Sequence, residues 1–321
     1  RKWFRYSICL GALLLTAVIL SFPSQCLSLS LQGLQLWFTK MIPALFPFMV
    51  LSGIIIRMNL ISLFARPLTP LLGKLYQVRP PLVYGMVIGF LCGFPMGAHT
   101  AAELYRTQKI SKEEASFLLA FCNNIGPVYF LSFALPTIGS RRRLLPFGIM
   151  YLLPLIYGLV LRYSRYRKLP SYSDSGQENS PSTSPACFLL SLEAAIDQSL
   201  QNITKLGGYM ILFNLLFILP QLAVFHIPMP VSRQNTLFAC LCCLLEITGG
   251  ISLCGSKLPL FVLTILPFGG LSCIAQTGSM LGGTDLSLTE YVKHKLILTV
   301  FTFFLLCLSS FSILAAIKSV T

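Results

Sequence analysis

Residues 80–102 read Pro-Pro-Leu-Val-Tyr-Gly-Met-Val-Ile-Gly-Phe-Leu-Cys-Gly-Phe-Pro-Met-Gly-Ala-His-Thr-Ala-Ala. His99 is the one Asp, Glu, Lys, Arg or His in that stretch. A helix rises about 1.5 Å per residue and a bilayer core is roughly 30 Å thick, so about 20 apolar residues span it. The stretch is long enough, yet Gly93-Phe94-Pro95-Met96-Gly97 stands inside it. Glycine admits backbone geometry that other residues avoid, and proline removes a donor. The helix is therefore expected to break there. In lipid each unsatisfied backbone group costs several kcal/mol, so a break survives only inside protein or beside a watery cavity. The predicted fold class is an all-α, polytopic integral membrane protein with helices interrupted at depth.

The rest of the chain repeats this pattern. Apart from His226, no Asp, Glu, Lys, Arg or His occurs in 6–39, 41–56, 115–140, 144–161, 206–232, 258–284 or 296–317, and 234–256 holds only Glu246. About eight to ten membrane-embedded segments are expected, some short of a full span. Hydrophobic residues make up 55% of the 321 and charged residues 11%, with a mean hydropathy of +0.76. That excludes a freely soluble enzyme and a disordered chain. The net charge of +14 lies in short runs beside apolar segments, such as Arg141-Arg142-Arg143. This is how loops at anionic headgroups look, and no aromatic-basic module points to nucleic acid. Arg1, Lys2 and Arg5 before apolar residues 8–20 read as an uncleaved first helix with a cytoplasmic N-terminus, a signal peptide being the alternative. The eleven cysteines are scattered without metal-site spacing.

The Ser/Pro-rich run 168–185 cannot bury apolar area and divides the chain into two halves. Both carry similar signals in the same order. Phe38-Thr39-Lys40-Met41 is matched by Ile203-Thr204-Lys205-Leu206, and the 93–97 break by Glu246-Ile247-Thr248-Gly249-Gly250. Asn123-Asn124-Ile125-Gly126-Pro127 is matched by Gly269-Gly270-Leu271-Ser272, and closing helix 144–161 by 296–314. Paired interruptions of this kind point to a transporter's binding site. Ser111 to Glu114 and Ser287 to Glu290 fit the helix-starting capping box. Residues 189–206 read as an amphipathic helix, with Leu189, Leu192, Ile196, Leu200, Ile203 and Leu206 on its apolar side. It lies on the membrane or packs over a partner helix. Residues 59–79 read as an interfacial connector. Basic clusters flank both ends of 144–161, so either that segment does not span or one cluster lies outside.

Pro95, Gly97 and Gly270 are expected to shape the backbone around a cavity; the alternative is a kink or a close helix crossing. Asn123 and Asn124 suit either a solute or interhelical hydrogen bonds, Gln276 carries the same two readings with Thr277 and Ser272, and Thr248 is a site candidate beside Glu246. Glu246 is the sharpest candidate, because a carboxylate deep in an apolar run is costly and by default functional. It suits a cation, a proton or a solute hydroxyl; the alternatives are the water interface or pairing with Lys205. His99 and Glu103, one turn apart, make a weaker proton-relay candidate. No catalytic motif and no nucleotide-binding loop is present.

Taken in order, Gly93-Phe94-Pro95-Met96-Gly97-Ala98, Lys109-Ile110-Ser111-Lys112-Glu113-Glu114-Ala115 and Ala120-Phe121-Cys122-Asn123-Asn124-Ile125-Gly126-Pro127 resemble the sporulation integral membrane protein YlbJ family, whose members carry the nucleoside recognition or Gate domain. Leu245-Glu246-Ile247-Thr248-Gly249-Gly250 and Phe268-Gly269-Gly270-Leu271-Ser272-Cys273-Ile274-Ala275-Gln276 extend the resemblance, which covers roughly residues 35–310. It implies a bacterial cell-membrane protein of the endospore-former type. It further implies distant similarity to concentrative nucleoside transporters, whose halves are inverted repeats with re-entrant hairpins. The family name records sporulation, and the domain name sets no substrate. His99 departs from the pattern, which leads one to expect Lys there.

The sequence reading is thus an N-terminal helix and connector (1–34), a first Gate-like repeat (35–162), a loop (163–186) and a second repeat (187–321). It predicts a transporter or gate for a small polar solute, with no cofactor and no metal. The lipid bilayer and the solute are the expected partners, a coupling ion and a homo-oligomer are left open, and nucleic acid is excluded. The rival is a non-transporting scaffold or assembly factor for the spore envelope.

Overall fold

The computed structural model describes residues 2–139, 144–170 and 185–318. Arg141-Arg142-Arg143 and most of the loop expected over 163–186 lie outside the described residues. Every regular element among the described residues is a helix. Five are long and apolar enough to cross a bilayer: Pro23–Arg57, Leu144–Tyr163, Pro185–Phe225, Pro259–Met280 and Leu288–Ser309. Shorter apolar helices cover Arg5–Ser21, Pro80–Cys92, Pro127–Thr137 and Val231–Leu245.

The same order of elements runs through both halves. A long helix comes first: Pro23–Arg57, with a π-helical turn at Trp37–Met41, and Pro185–Phe225. The expected boundary between residues 34 and 35 falls inside the first of these continuous helices. A helical hairpin follows: Pro80–Cys92 with Met96–Arg106, and Val231–Leu245 with Ile247–Cys254. Each hairpin folds back on itself. A Cβ placed on Gly85 would lie 3.5 Å from Leu104 Cδ1, and one placed on Gly250 would lie 2.4 Å from the Cys243 backbone. A broken helix is next: Lys112–Phe121 resuming at Pro127, and Pro259–Ile265 resuming at Gly270. Closing helices Leu144–Tyr163 and Leu288–Lys318 complete the halves.

The two long helices run antiparallel in close contact. Gly33 lies against Met210 and Ile211, and Gly53 against Ala195. Trp37 Nε1 donates to the Ile203 carbonyl at 2.8 Å. Residues 189–206 pack over a partner helix, and their apolar stripe contributes only its end, Ile203 and Leu206, to the buried face. Ser191, Ala195, Ser199, Ile203 and Leu206 are buried, while Leu189 and Leu200 are exposed. In lipid the tails are as apolar as leucine, so small residues that let backbones approach form the seam.

Ionic contacts gather at one end of the bundle. Arg79 makes a bidentate pair with the buried Glu114 at 2.6 to 3.0 Å. Glu114 also closes a full capping box with Ser111. Lys112 pairs with Asp285 at 2.8 Å and Arg165 with Glu290 at 3.1 Å. Glu290 meets Ser287 only through its backbone amide, at 3.2 Å, so the second capping box is half formed. Its carboxylate serves Lys293 and Arg165 instead. The first hairpin opens toward this end. The base of the second hairpin lies at the opposite end, where Gly139 neighbours Ser256. Helix Leu144–Tyr163 runs between the two ends, antiparallel to the last helix, with Tyr157 bonded to His294 at 2.6 Å.

Candidate functional site: a cavity between four helix interruptions

The hairpin tips and helix breaks converge at the middle of the bundle. Gly93 has φ +79°, and a Cβ there would lie 2.2 Å from the Gly126 amide nitrogen. Only glycine fits, because the first hairpin tip rests directly on the first helix break. Gly97 approaches Cys122 and Asn123 almost as closely, and Pro95 sits at the start of helix Met96–Arg106. In the second half Gly270, with φ +80°, faces the carbonyls of Cys243, Leu244 and Leu245 at 3.0 to 3.3 Å from a notional Cβ. The halves then meet each other: Phe94 packs against Gly269, and the Tyr129 hydroxyl donates to Thr248 Oγ1 at 3.1 Å.

A cavity of about 420 Å³ lies at this junction. Its polar wall is Glu246, Thr248, Tyr129, Ser132 and Gln276, with Lys40 on the rim. The remainder is apolar, including Phe94, Ile125, Met210 and Leu266. This mixture, mostly apolar with a few convergent polar groups, characterises small-molecule sites.

Glu246 is 2% exposed. The second hairpin turns at this residue, whose backbone is extended (φ −141°, ψ 117°) between two helices. Its carboxylate caps the second of them, accepting the Thr248 amide at 3.0 Å and the Gly249 amide at 2.7 Å. The positive end of a helix dipole stabilises a carboxylate at this position. Among the described residues no cation lies within ion-pair distance of it, and Lys205, the alternative partner, is exposed and forms none of the ion pairs there. The Thr248 and Asn214 side chains also approach the carboxylate, which lines the cavity wall.

The other sequence candidates divide. Thr248 and Gln276 line the cavity, Gln276 donating to Ser272 Oγ at 2.9 Å. Asn123 and Asn124 do not. Asn123 accepts from the Ala98 amide at 3.2 Å and donates to Thr277 Oγ1 at 3.1 Å and the Tyr291 hydroxyl at 3.0 Å. It ties the first hairpin and the first break to the second half. Asn124 donates to the Phe121 carbonyl at 2.5 Å and accepts from Lys295 Nζ at 2.8 Å. Pro95, Gly97 and Gly270 shape the tips behind the cavity wall. His99 and Glu103 form no hydrogen bond with each other. Both His99 ring nitrogens lack a partner, and Glu103 instead meets Gln198 and Arg106.

Sequence reasoning missed Lys295. It is completely buried, with its ammonium 4.9 Å from the Phe94 ring centre and 5.5 Å from that of Tyr291. Its position among Lys293, His294 and the Ser287 helix start reads as a surface end. The missed signal is spacing: Lys295 stands two turns past Ser287, one turn beyond Tyr291 on the same helix face.

Comparison with known proteins agrees with this architecture. The chain is 25% identical over 326 residues to the sporulation integral membrane protein YlbJ of Bacillus subtilis (strain 168), across 89% of this chain and 78% of that protein. No family model and no solved structure matches it. With its apolar, membrane-length helices and this similarity over most of its length, the chain is a YlbJ-like, multi-pass integral membrane protein.

Proposed function

We propose that the protein moves, or gates the movement of, a small polar solute by alternating access around the central cavity. One observation carries this reading: a buried carboxylate without a cationic partner among the described residues lines a cavity where hairpin tips and helix breaks from both halves meet. Freed backbone at this depth is stable only against protein or a wet space, and a broken helix end offers partial charge to a solute. The hairpins open toward opposite ends of the bundle, as in two repeats of inverted topology. In this reading Glu246 binds a cation or a solute hydroxyl, Thr248 and Gln276 orient it, and the glycines with Pro95 hold the tips. The ionic end, with Arg57, Arg79, Lys112 and Arg165, faces the cytoplasm, together with the N-terminus. Similarity to a sporulation protein supports a role in spore formation.

The test is a thermal-shift screen of the purified protein against nucleosides, amino acids, dicarboxylates and inorganic ions, followed by flux of any stabilising compound in proteoliposomes. Glu246→Gln should abolish both the shift and the flux while folded protein still accumulates. A folded Glu246→Gln protein with wild-type flux overturns the assignment. If no compound shifts or crosses, the remaining role is that of a membrane scaffold.

A further inference from the structure

The first helix break carries a second buried charge that the proposed solute path does not use. Helix Lys112–Phe121 ends at the break, and its last carbonyls form the negative end of a helix dipole. Asn124 caps the Phe121 carbonyl with its amide nitrogen and turns its amide oxygen to Lys295 Nζ. Phe94 from the first hairpin tip and Tyr291 present their rings to the same ammonium. Among the described residues no carboxylate pairs with Lys295. Its surroundings are therefore an amide oxygen, two aromatic faces and a helix C-terminus, each of which attracts a cation.

We infer that Lys295 is a tethered cation: its ammonium fills a monovalent-cation site between the first hairpin tip and the first helix break. A broken helix end of this kind usually calls for an ion. Here the last helix supplies the charge covalently, so no free inorganic cation is needed at this position. The inference deepens the transport reading by addressing coupling, yet it rests on geometry that holds whether or not a solute moves.

The experiment measures the unfolding midpoint of the purified protein in NaCl, KCl and choline chloride at equal ionic strength, for wild type, Glu246→Gln, Lys295→Ala and Lys295→Met. Glu246→Gln, which removes the carboxylate of the central cavity, should unfold at the same temperature in all three salts. Lys295→Ala should unfold at a lower temperature, and ethylammonium, small enough for the vacated space, should restore most of the loss where choline does not. Lys295→Met, which keeps an apolar stem of similar length, should be destabilised and gain nothing from ethylammonium. A Glu246→Gln midpoint that still depends on Na⁺ or K⁺ overturns the inference, because the cavity carboxylate no longer accounts for it. So does a Lys295→Met protein as stable as wild type. Ethylammonium rescue together with absent solute flux in proteoliposomes leaves the tethered cation standing and removes the transport reading.

Discussion

The two hairpin tips do similar jobs with opposite chemistry. The first, Gly93-Phe94-Pro95, carries no charge of its own; its aromatic ring meets an ammonium from the last helix, and the adjoining break is closed by Asn123 and Asn124. The second turns at Glu246, whose charge is met on one side by two backbone amides and on the other by the cavity. One tip is neutralised from within, and the other presents its carboxylate to the cavity, where the proposed function places a ligand. On the proposed function, similar backbone in the two halves would serve a structural site and a binding site, with the side chain at each tip deciding which.

Backbone substitutions at the tips should break this comparison most severely. Gly93→Ala puts a methyl group into the Gly126 amide at positive φ and should cost more than about 4 kcal/mol, leaving no folded protein in membranes. Gly270→Ala meets its neighbours at longer distances and should cost about 1–3 kcal/mol, leaving a lower yield of folded protein. Size-exclusion profiles of the detergent extract distinguish the two, and equal behaviour would mean that the tips are equally tight.

Next comes the ion pair at the base of the first hairpin. Glu114→Ala strands Arg79 and removes the capping box, and should lower stability by about 3 kcal/mol in chemical unfolding. Asn124→Ala leaves the Lys295 ammonium without its amide oxygen and should cost about 2 kcal/mol. Glu246→Gln should weaken a helix cap, worth about 1 kcal/mol, and, on the proposed function, should remove ligand binding. If Asn124→Ala were the milder change for stability and the more harmful for flux, the assignment of structural and binding breaks would be reversed.

The smallest effect is a pH dependence at the ionic end. The hydrogen bond from Lys112, helped by the Tyr105 hydroxyl, holds the Asp285 carboxyl below its ordinary value. A depressed carboxylate stabilises the fold at pH above its unfolded value, and that contribution is lost as pH falls through the lowered one. Thermal unfolding followed from about pH 6 to pH 2 should show a slightly shallower decline for Asp285→Asn than for wild type. Identical slopes would show that this exposed contact adds nothing.

Much of this was legible in the residues themselves. Long uncharged stretches dictated membrane helices, because a buried charge in lipid is too costly to scatter. Gly-Phe-Pro and Asn-Asn-Ile-Gly-Pro marked the breaks, since backbone that cannot stay helical announces itself locally. Glu246 was visible as the lone carboxylate of residues 234–256. What only tertiary structure decided was the partner of each polar group. Asn124 could equally have faced a solute, until Lys295, 171 positions away, was found against it. Over residues 191–199 the seam went to serine and alanine while Leu189 and Leu200 stayed exposed, because lipid removes the advantage of apolar burial and leaves backbone approach to choose the face. Local sequence determines where a helix stops; which charge meets the exposed end depends on chain segments that only folding brings together.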